Sequence, residues 1–358
     1  MQTMKKKYLL SLFLALQVIL ILVLKKFPHF VENYYSNTIF LQLAGFLRSA
    51  FGKIPISIGD LIYLFFIVYS LFTVWQTQKK WKQNWGIYLL KMVNVISVFY
   101  FLFHFLWGYN YYRVPLFEKM KLEKQYTTAD LYRFTEKLIL KTNEIQFTIT
   151  KNKNLKVVSP LMHNNLIVIS KNGYDNLAKR YLFFEYQTPS IKKSVFSLPL
   201  SYMGFSGYLN PFTNEAHYNS YSPNYNAPMT ICHEMAHQIG YASESECNFI
   251  GYLTANSNDN YYFQYAANTM ALKYCLRAVQ LKNEKLALVY LSKINKGIIE
   301  NFNEDKQHYQ KYHTFIETGF EIFYDSFLKL NQQKDGIEGY SKYLDLLINF
   351  NKKHPFLI

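Results

Sequence analysis

Cysteine is scarce, with three residues in a chain of 358. That number is too small, and odd, for a disulfide framework. Proline and glycine are sparse as well, at 10 and 14, which excludes a collagen-like repeat and leaves little material for low-complexity linkers. Acidic side chains are outnumbered, 24 Asp+Glu against 39 Lys+Arg, for a formal net charge of +15. A positive excess suits an anionic membrane surface, a nucleic acid or simply a lysine-rich solvated surface. No RNP-like, helix-turn-helix or zinc-finger pattern accompanies it, so nucleic acid is not an expected partner. What the chain does have is apolar: 50% of its residues are hydrophobic, and 32 Tyr and 30 Phe stand among them. A disordered chain would lack this material.

The apolar runs are concentrated before residue 110. Tyr8 to Leu24 reads YLLSLFLALQVILILVL, uncharged and near the lower length limit for a membrane helix. A small-residue cleavage site is missing from KKFPHF, which follows it, so a retained helix is expected over a cleaved signal. A second run covers Leu61 to Trp75 and starts near Ile56. A third covers Leu89 to Trp107 and contains Lys91, Asn94 and His104, the last two read as helix-packing or interfacial groups. The expected organisation is a membrane region, 1–112, with three transmembrane helices at about 8–24, 57–75 and 89–108, then a soluble domain, 113–358. Lys5, Lys6 and Lys7 precede the first helix, and Lys79, Lys80 and Lys82 precede the third. The positive-inside rule puts both segments in the cytoplasm and the soluble domain outside it, in a multi-pass protein of the cytoplasmic (inner) membrane. The 25–58 loop, with Lys25, Lys26, Arg48 and Lys53, runs against that assignment. Trp107, Tyr109, Tyr111 and Tyr112 form an aromatic belt at the exit.

In the soluble part, Thr127 or Thr128 caps a helix whose Leu131, Phe134, Leu138 and Leu140 are expected on one face. A weaker helix is expected over 174–184. SVFSLPLSYMGFSGYLNPFTNEAHYNSYSP alternates apolar residues with Gly and Pro and reads as short strands. Helices follow at about 229–239, 243–256, 261–281, 283–297, 302–331 and 336–351. The fold class is α+β, mainly α.

The chemistry sits in His233-Glu234-Met235-Ala236-His237. On a helix, positions i and i+4 share a face, so two imidazoles can hold one zinc ion, with Glu234 beside them as general base. Pro228 and Thr230 suit the helix start, and Gly240 suits its end. A catalytic zinc needs a third protein ligand. Ser243 and Glu246 have the spacing of a capping box, which leaves Glu244 freer to turn toward the metal. Glu246 is the alternative, and His217 a more distant one. Cys232 points about 100° away from His233, and both Cys232 and Cys247 read as small core residues. Cys275 has no evident partner. The expected reaction is hydrolysis of a peptide bond by a zinc-activated water, with Glu234 taking its proton. Tyr262, Tyr265, His308 and His313 are all chemically suitable as oxyanion donors. The segment from Phe205 to Asn219 is expected to offer an edge to an extended peptide or protein substrate.

The residues WGYNYYR, PFTNEAHYN, CHEMAHQIGYASESECNFIGYL and YDSFLKLNQQKDGIEGYSKYLDLL resemble an uncharacterised family of bacterial membrane proteins, domain of unknown function 3810. The likeness runs nearly the whole length. It implies membrane helices followed by a zincin-like, zinc-dependent peptidase domain, and it names no substrate. The run Glu244-x-x-Cys247-Asn248 is also similar to the E-x-x-A-[N/D] helix that gives gluzincin peptidases their third ligand, with Cys247 where Ala is usual. In the metzincin scheme that ligand would fall at Ser243, a poor zinc donor. The alternative to an enzyme is a catalytically inactive zincin-fold scaffold or a peptide-binding membrane protein.

Overall fold

A computed structural model describes residues 8–330 and 340–354. The chain forms two compact units. One is built from the residues up to Val114 together with Asn210–Glu215, and the other from Pro115–Leu209 and from Ala216 onward.

The first unit is helical: α1 (Leu9–Leu24), α2 (Leu41–Phe51), α3 (Ile58–Thr77) and α4 (Trp81–Leu106). The helical stretch Ile58–Leu106 is long and apolar enough to cross a membrane, and Leu9–Leu24 with Pro28–Phe51 qualifies as a pair bent by 103°. On α3, Phe65, Ile67, Val68, Leu71 and Phe72 are exposed, a continuous apolar surface of the kind lipid covers. The stretch from α3 to α4 is not straight. The rings of Phe66 and Phe99 lie 5.1 Å apart, whereas a straight helix rising about 1.5 Å per residue would separate them by about 50 Å. The helices therefore fold back on each other, with Lys79, Lys80 and Lys82 at the bend.

Three polar side chains on the apolar helices of this unit have partners, which offsets the cost of their burial. Gln17 donates to the Ser97 carbonyl at 3.2 Å, Ser11 donates to Asn94 at 3.0 Å, and His104 Nδ1 bonds the Tyr100 carbonyl at 2.9 Å. The segment expected as a 25–58 loop is instead largely helical, through a π-helix at Val31–Phe40 that leads into α2. Glu32 in that π-helix is gripped by Arg113 at 2.8 and 2.9 Å, a two-pronged bond that fixes the segment to the WGYNYYR run. Asn210–Glu215 completes the unit. The Glu215 carboxylate accepts the Ile58 and Gly59 amides at 3.2 and 2.6 Å, so it caps the positive end of α3. Arg48 donates to Asn214 at 2.8 Å, and the Phe212 ring packs edge-on to Tyr63 and Phe99. Lys5, Lys6 and Lys7 lie outside the described residues.

The second unit is mainly helical around one small sheet. It contains α5 (Thr128–Thr150), α6 (His163–Ala178), β1 (Ile191–Lys193), α7 (Ser197–Tyr202), β2 (Gly207–Leu209), β3 (Ala216–Tyr218), α8 (Ala227–Gln238), α9 (Glu244–Asn256), α10 (Tyr261–Lys282), α11 (Glu284–Ser292), α12 (Lys296–Tyr312), α13 (Phe315–Leu330) and α14 (Tyr340–Lys353). The strand order is β1-β3-β2, with β1 parallel and β2 antiparallel to β3. Thr127 and Asp130 close a capping box on α5. α8 and α9 pack together at the centre, and α8 is tied on two sides. Tyr174 of α6 donates to the Cys232 carbonyl at 2.7 Å, and Gln238 bonds Tyr186 and the Ser190 carbonyl at 2.6 and 2.9 Å.

Several element boundaries differ from the sequence reading. The helix expected at 174–184 begins at His163, because Leu166, Ser170, Gly173, Tyr174 and Leu177 form the buried face and two of them are too small to register as apolar. The strand-like stretch contains α7, where Pro199 sits in the first turn and costs no helical bond. The helix expected at 283–297 stops at Ser292. Asn295 is pulled onto α5 by Asn143 and Gln146, each at 2.8 Å. The long helix expected at 302–331 breaks at His313, whose extended backbone separates α12 from α13. Of the helix expected at 336–351, residues 336–339 lie outside the described ones.

Gly173 sets the spacing of α6 and α9. A Cβ there would stand 2.5 Å from the Thr254 carbonyl oxygen, so the helices would have to part. Gly173→Ala is expected to destabilise the chain by about 1–3 kcal/mol. Chemical denaturation of the two proteins measures this, and an unchanged midpoint would refute the close approach.

Candidate metal centre

α8 opens with Pro228 in its first turn, where a missing N–H costs nothing. It buries Met229, Ile231, Cys232, Met235 and Ala236. It closes at Gly240, whose φ is +87°. The Tyr241 amide donates to the Ala236 carbonyl at 3.2 Å and the Gly240 amide to the His237 carbonyl at 3.0 Å, a left-handed stop that glycine adopts without strain. The chain turns and α9 begins at Glu244. Ser243 holds the N-cap position, but its hydroxyl makes no cap bond. The expected capping box is therefore absent. Glu246 turns instead to the Leu116 amide, which it accepts at 2.6 Å, because that backbone donor begins a short helix and has no helical acceptor of its own. Gly251 lets α9 lie against α8, since a Cβ there would stand 3.1 Å from the His233 amide nitrogen.

This corner brings His233, His237 and Glu244 together, with one ligand atom of each within 4.8 Å of the others. Glu244 Oε2 lies 3.1 Å from His233 Nε2, and Oε1 lies 3.7 Å from His237 Nε2. The other ring nitrogens are committed. His233 Nδ1 faces Asn248 Oδ1 at 2.8 Å, and His237 Nδ1 faces the Tyr241 carbonyl at 2.7 Å. Both partners are acceptors, so each Nδ1 carries the hydrogen, and in the neutral rings each Nε2 keeps a lone pair. Two lone pairs and a carboxylate then converge on one point. A proton or a metal ion between them stabilises such a set: against the effect of burial, Cys247 and Glu244 favour the protonated His237 ring, and two imidazoles with one carboxylate suit zinc. Burial alone would raise the Glu244 carboxyl, but the two imidazoles hold it well below the usual range. Its place in the first turn of α9 also favours its charge.

Glu234 is buried beside this set. Burial pushes its carboxyl up to about 7, against the pull of His233 and His237, and Glu244 adds to the rise. Its Oε2 has no hydrogen-bond partner among the described residues. β2 passes directly over Glu234 at Gly207, where a Cβ would stand 2.7 Å both from Glu234 Oε1 and from the His217 carbonyl.

Other residues singled out in the sequence lie elsewhere. His217 is buried in β3 and stacked on Tyr208 at 4.4 Å, outside the three-residue cluster. Tyr265 donates to Asn301 in the core at 2.7 Å, and Tyr262 packs against that core. His308 lies on the Tyr312 ring, and His313 bonds Glu317 at 2.7 Å. All three cysteines are free and buried. Cys247 Sγ sits 3.1 Å from the Tyr241 carbonyl and 3.3 Å from His237 Nδ1, and burial pushes its thiol up to about 12. Two residues were missed. Asn248 orients His233, and Tyr324 of α13 donates to Glu244 Oε1 at 2.8 Å. Tyr324 opens the fourth resemblance motif, YDSFLKL, which is the signal the sequence carries for it.

The sequence profile of the family described as protein of unknown function (DUF3810) matches residues 35–348, and the chain belongs to that family. No curated protein and no solved structure matches it.

Asn248 holds the His233 ring by a single bond. Asn248→Ala is expected to weaken zinc binding about 10–100-fold without unfolding the chain. Competition with a chromophoric chelator measures it, and unchanged affinity would show that His233 needs no orienting partner.

Proposed function

We propose that this member of the DUF3810 family is a membrane-anchored, zinc-dependent metallopeptidase with a zincin-like domain, acting on peptide or protein substrates outside the cytoplasm. The observation that carries the reading is the convergence of His233, His237 and Glu244 within 4.8 Å, with the unpartnered Oε2 of Glu234 buried beside them. His233 and His237 would hold the ion through Nε2, and Glu244 supplies the third ligand in preference to Glu246, which is engaged with the Leu116 amide. Zinc, when bound, acidifies water and polarises a carbonyl.

Glu234 does the proton work. Its Oε2 accepts a proton from the attacking water and delivers it to the leaving amine, a role that needs an acceptor with no competing donor. β2 has a strand on one side only, since the order among the described residues is β1-β3-β2. In this reading its other edge, which pairs with no strand among the described residues, takes the backbone of an extended peptide, and Gly207 brings β2 over Glu234. α1, α3 and α4 serve as three membrane crossings. Lys79, Lys80 and Lys82 mark the cytoplasmic bend, which leaves the second unit outside the cytoplasm.

Elemental analysis of the full chain in detergent is expected to find about one zinc per chain, as a three-ligand site requires. His233→Ala and Glu244→Ala should lose it, and Glu246→Ala should keep it. Glu234→Gln should keep the zinc while cleavage of a peptide library falls about 10²–10⁴-fold. Wild type without zinc, after purification free of chelator and with zinc added, would overturn the reading. A Glu234→Gln chain that retained full biological activity would favour the inactive scaffold.

A further inference from the structure

The face of α13 turned toward the site is a stripe of Glu317, Phe320 and Tyr324, spaced three and four residues apart so that all three share one side. Each has a fixed place. Glu317 is buried, is bonded by His313, and lies against Gly204, where a Cβ would stand 3.1 Å from Glu317 Oε1. Gly204 has φ +78°, so the chain turns there and delivers Phe205 to the same stripe. The Phe205 ring meets Phe320 and Tyr324 edge-on, at 5.5 and 4.9 Å between centroids. The aromatic edge contacts leave the Tyr324 hydroxyl one direction to point, toward Glu244 Oε1 at 2.8 Å.

We propose that Tyr324 is a positioning residue for Glu244: its hydroxyl donates to Oε1 and fixes the orientation of the carboxylate, with Oε2 toward His233 and Oε1 toward His237, so that Oε2 is the favoured donor to a metal. The proposal rests on the metal-centre reading above. A carboxylate on a flexible stem can bind a cation through one oxygen or through both. A phenol held in place by packing biases that choice, because its hydrogen bond occupies one lone pair of Oε1 and makes it the weaker donor. Nothing in this role asks Tyr324 to touch a reacting atom or the ion. It acts through Glu244, as the hydrogen-bonded partners of metal-ligating carboxylates do elsewhere.

The test is Tyr324→Phe in the full chain in detergent, which deletes the hydroxyl and keeps the ring against Phe205. Zinc affinity is read by chelator competition, and coordination is read from the visible absorption of the protein loaded with cobalt(II), which is more intense in four-coordinate than in five-coordinate sites. The variant is expected to bind zinc about 10–100-fold more weakly and to show a weaker cobalt band, as the released Oε1 joins the coordination shell. Wild type that binds metal, together with a variant of unchanged affinity and superimposable cobalt spectrum, would overturn the proposal and leave the metal centre standing. Wild type that binds neither metal would remove the metal centre, and the proposal with it. Equal far-ultraviolet circular dichroism for the two proteins establishes that any difference arises at the site.

Discussion

The arrangement depends on one electrostatic constraint. Three acceptors, the Nε2 atoms of His233 and His237 and the carboxylate of Glu244, are held face to face in a poorly solvated corner. In the absence of a proton or metal ion between them they repel. The chain nevertheless spends structure to hold them there. Asn248 and the Tyr241 carbonyl fix the two rings, the N-terminus of α9 favours the carboxylate, and Gly240 and Gly251 bring α8 and α9 close enough for the meeting to occur. A neutral histidine that merely fills a core is satisfied by an acceptor at one ring nitrogen and a donor at the other. Here the second-ring partners are all acceptors, which directs both lone pairs inward.

A second constraint works through the PFTNEAHYN run, whose residues serve two masters. Asn210–Glu215 belongs to the membrane-type unit, where Glu215 caps α3 and Asn214 accepts from Arg48. The next three residues, Ala216–Tyr218, are β3, the centre of the sheet that carries β2 over Glu234. The dense polarity of this run therefore divides between amide capping in one unit and strand pairing in the other. Of its two metal-ligating residue types, Glu215 accepts the α3 amides and His217 is a buried stacking partner of Tyr208.

How much of this was legible follows from the range of the forces involved. The pairing of His233 with His237 is local, set by helical pitch, and could be read from five residues. The apolar runs of α1, α3 and α4 were likewise visible, because a membrane-type helix declares itself by composition. The preference for Glu244 was reached with a faulty premise. Glu246 was expected to cap its own helix, but it answers a donor at Leu116, a partner 130 residues distant. Contacts of that kind have no sequence signature. Tyr324 is one of 32 tyrosines; its place at the head of a resemblance motif marks it in the sequence, but its bond to Glu244 is a tertiary contact 80 residues distant. The helical nature of 25–58 depends on contacts such as the Glu32–Arg113 bond, which joins residues 81 positions apart and has no local signature.

The contrast between buried charges separates support from chemistry. Glu32 is matched by a two-pronged arginine, and Glu215 by two backbone amides and the Thr213 hydroxyl. In both cases burial of the charge is offset by strong hydrogen bonds, so each carboxylate stabilises the fold around it. Glu234 is just as buried, yet one of its oxygens has no partner and β2 lies directly against the other. Burying a carboxyl oxygen without a hydrogen bond costs on the order of 1–3 kcal/mol. The hydrogen bonds of the fold give no reason for a carboxylate at this position. An Oε2 without a protein donor is available to accept a proton from a substrate water, which is the role proposed for it.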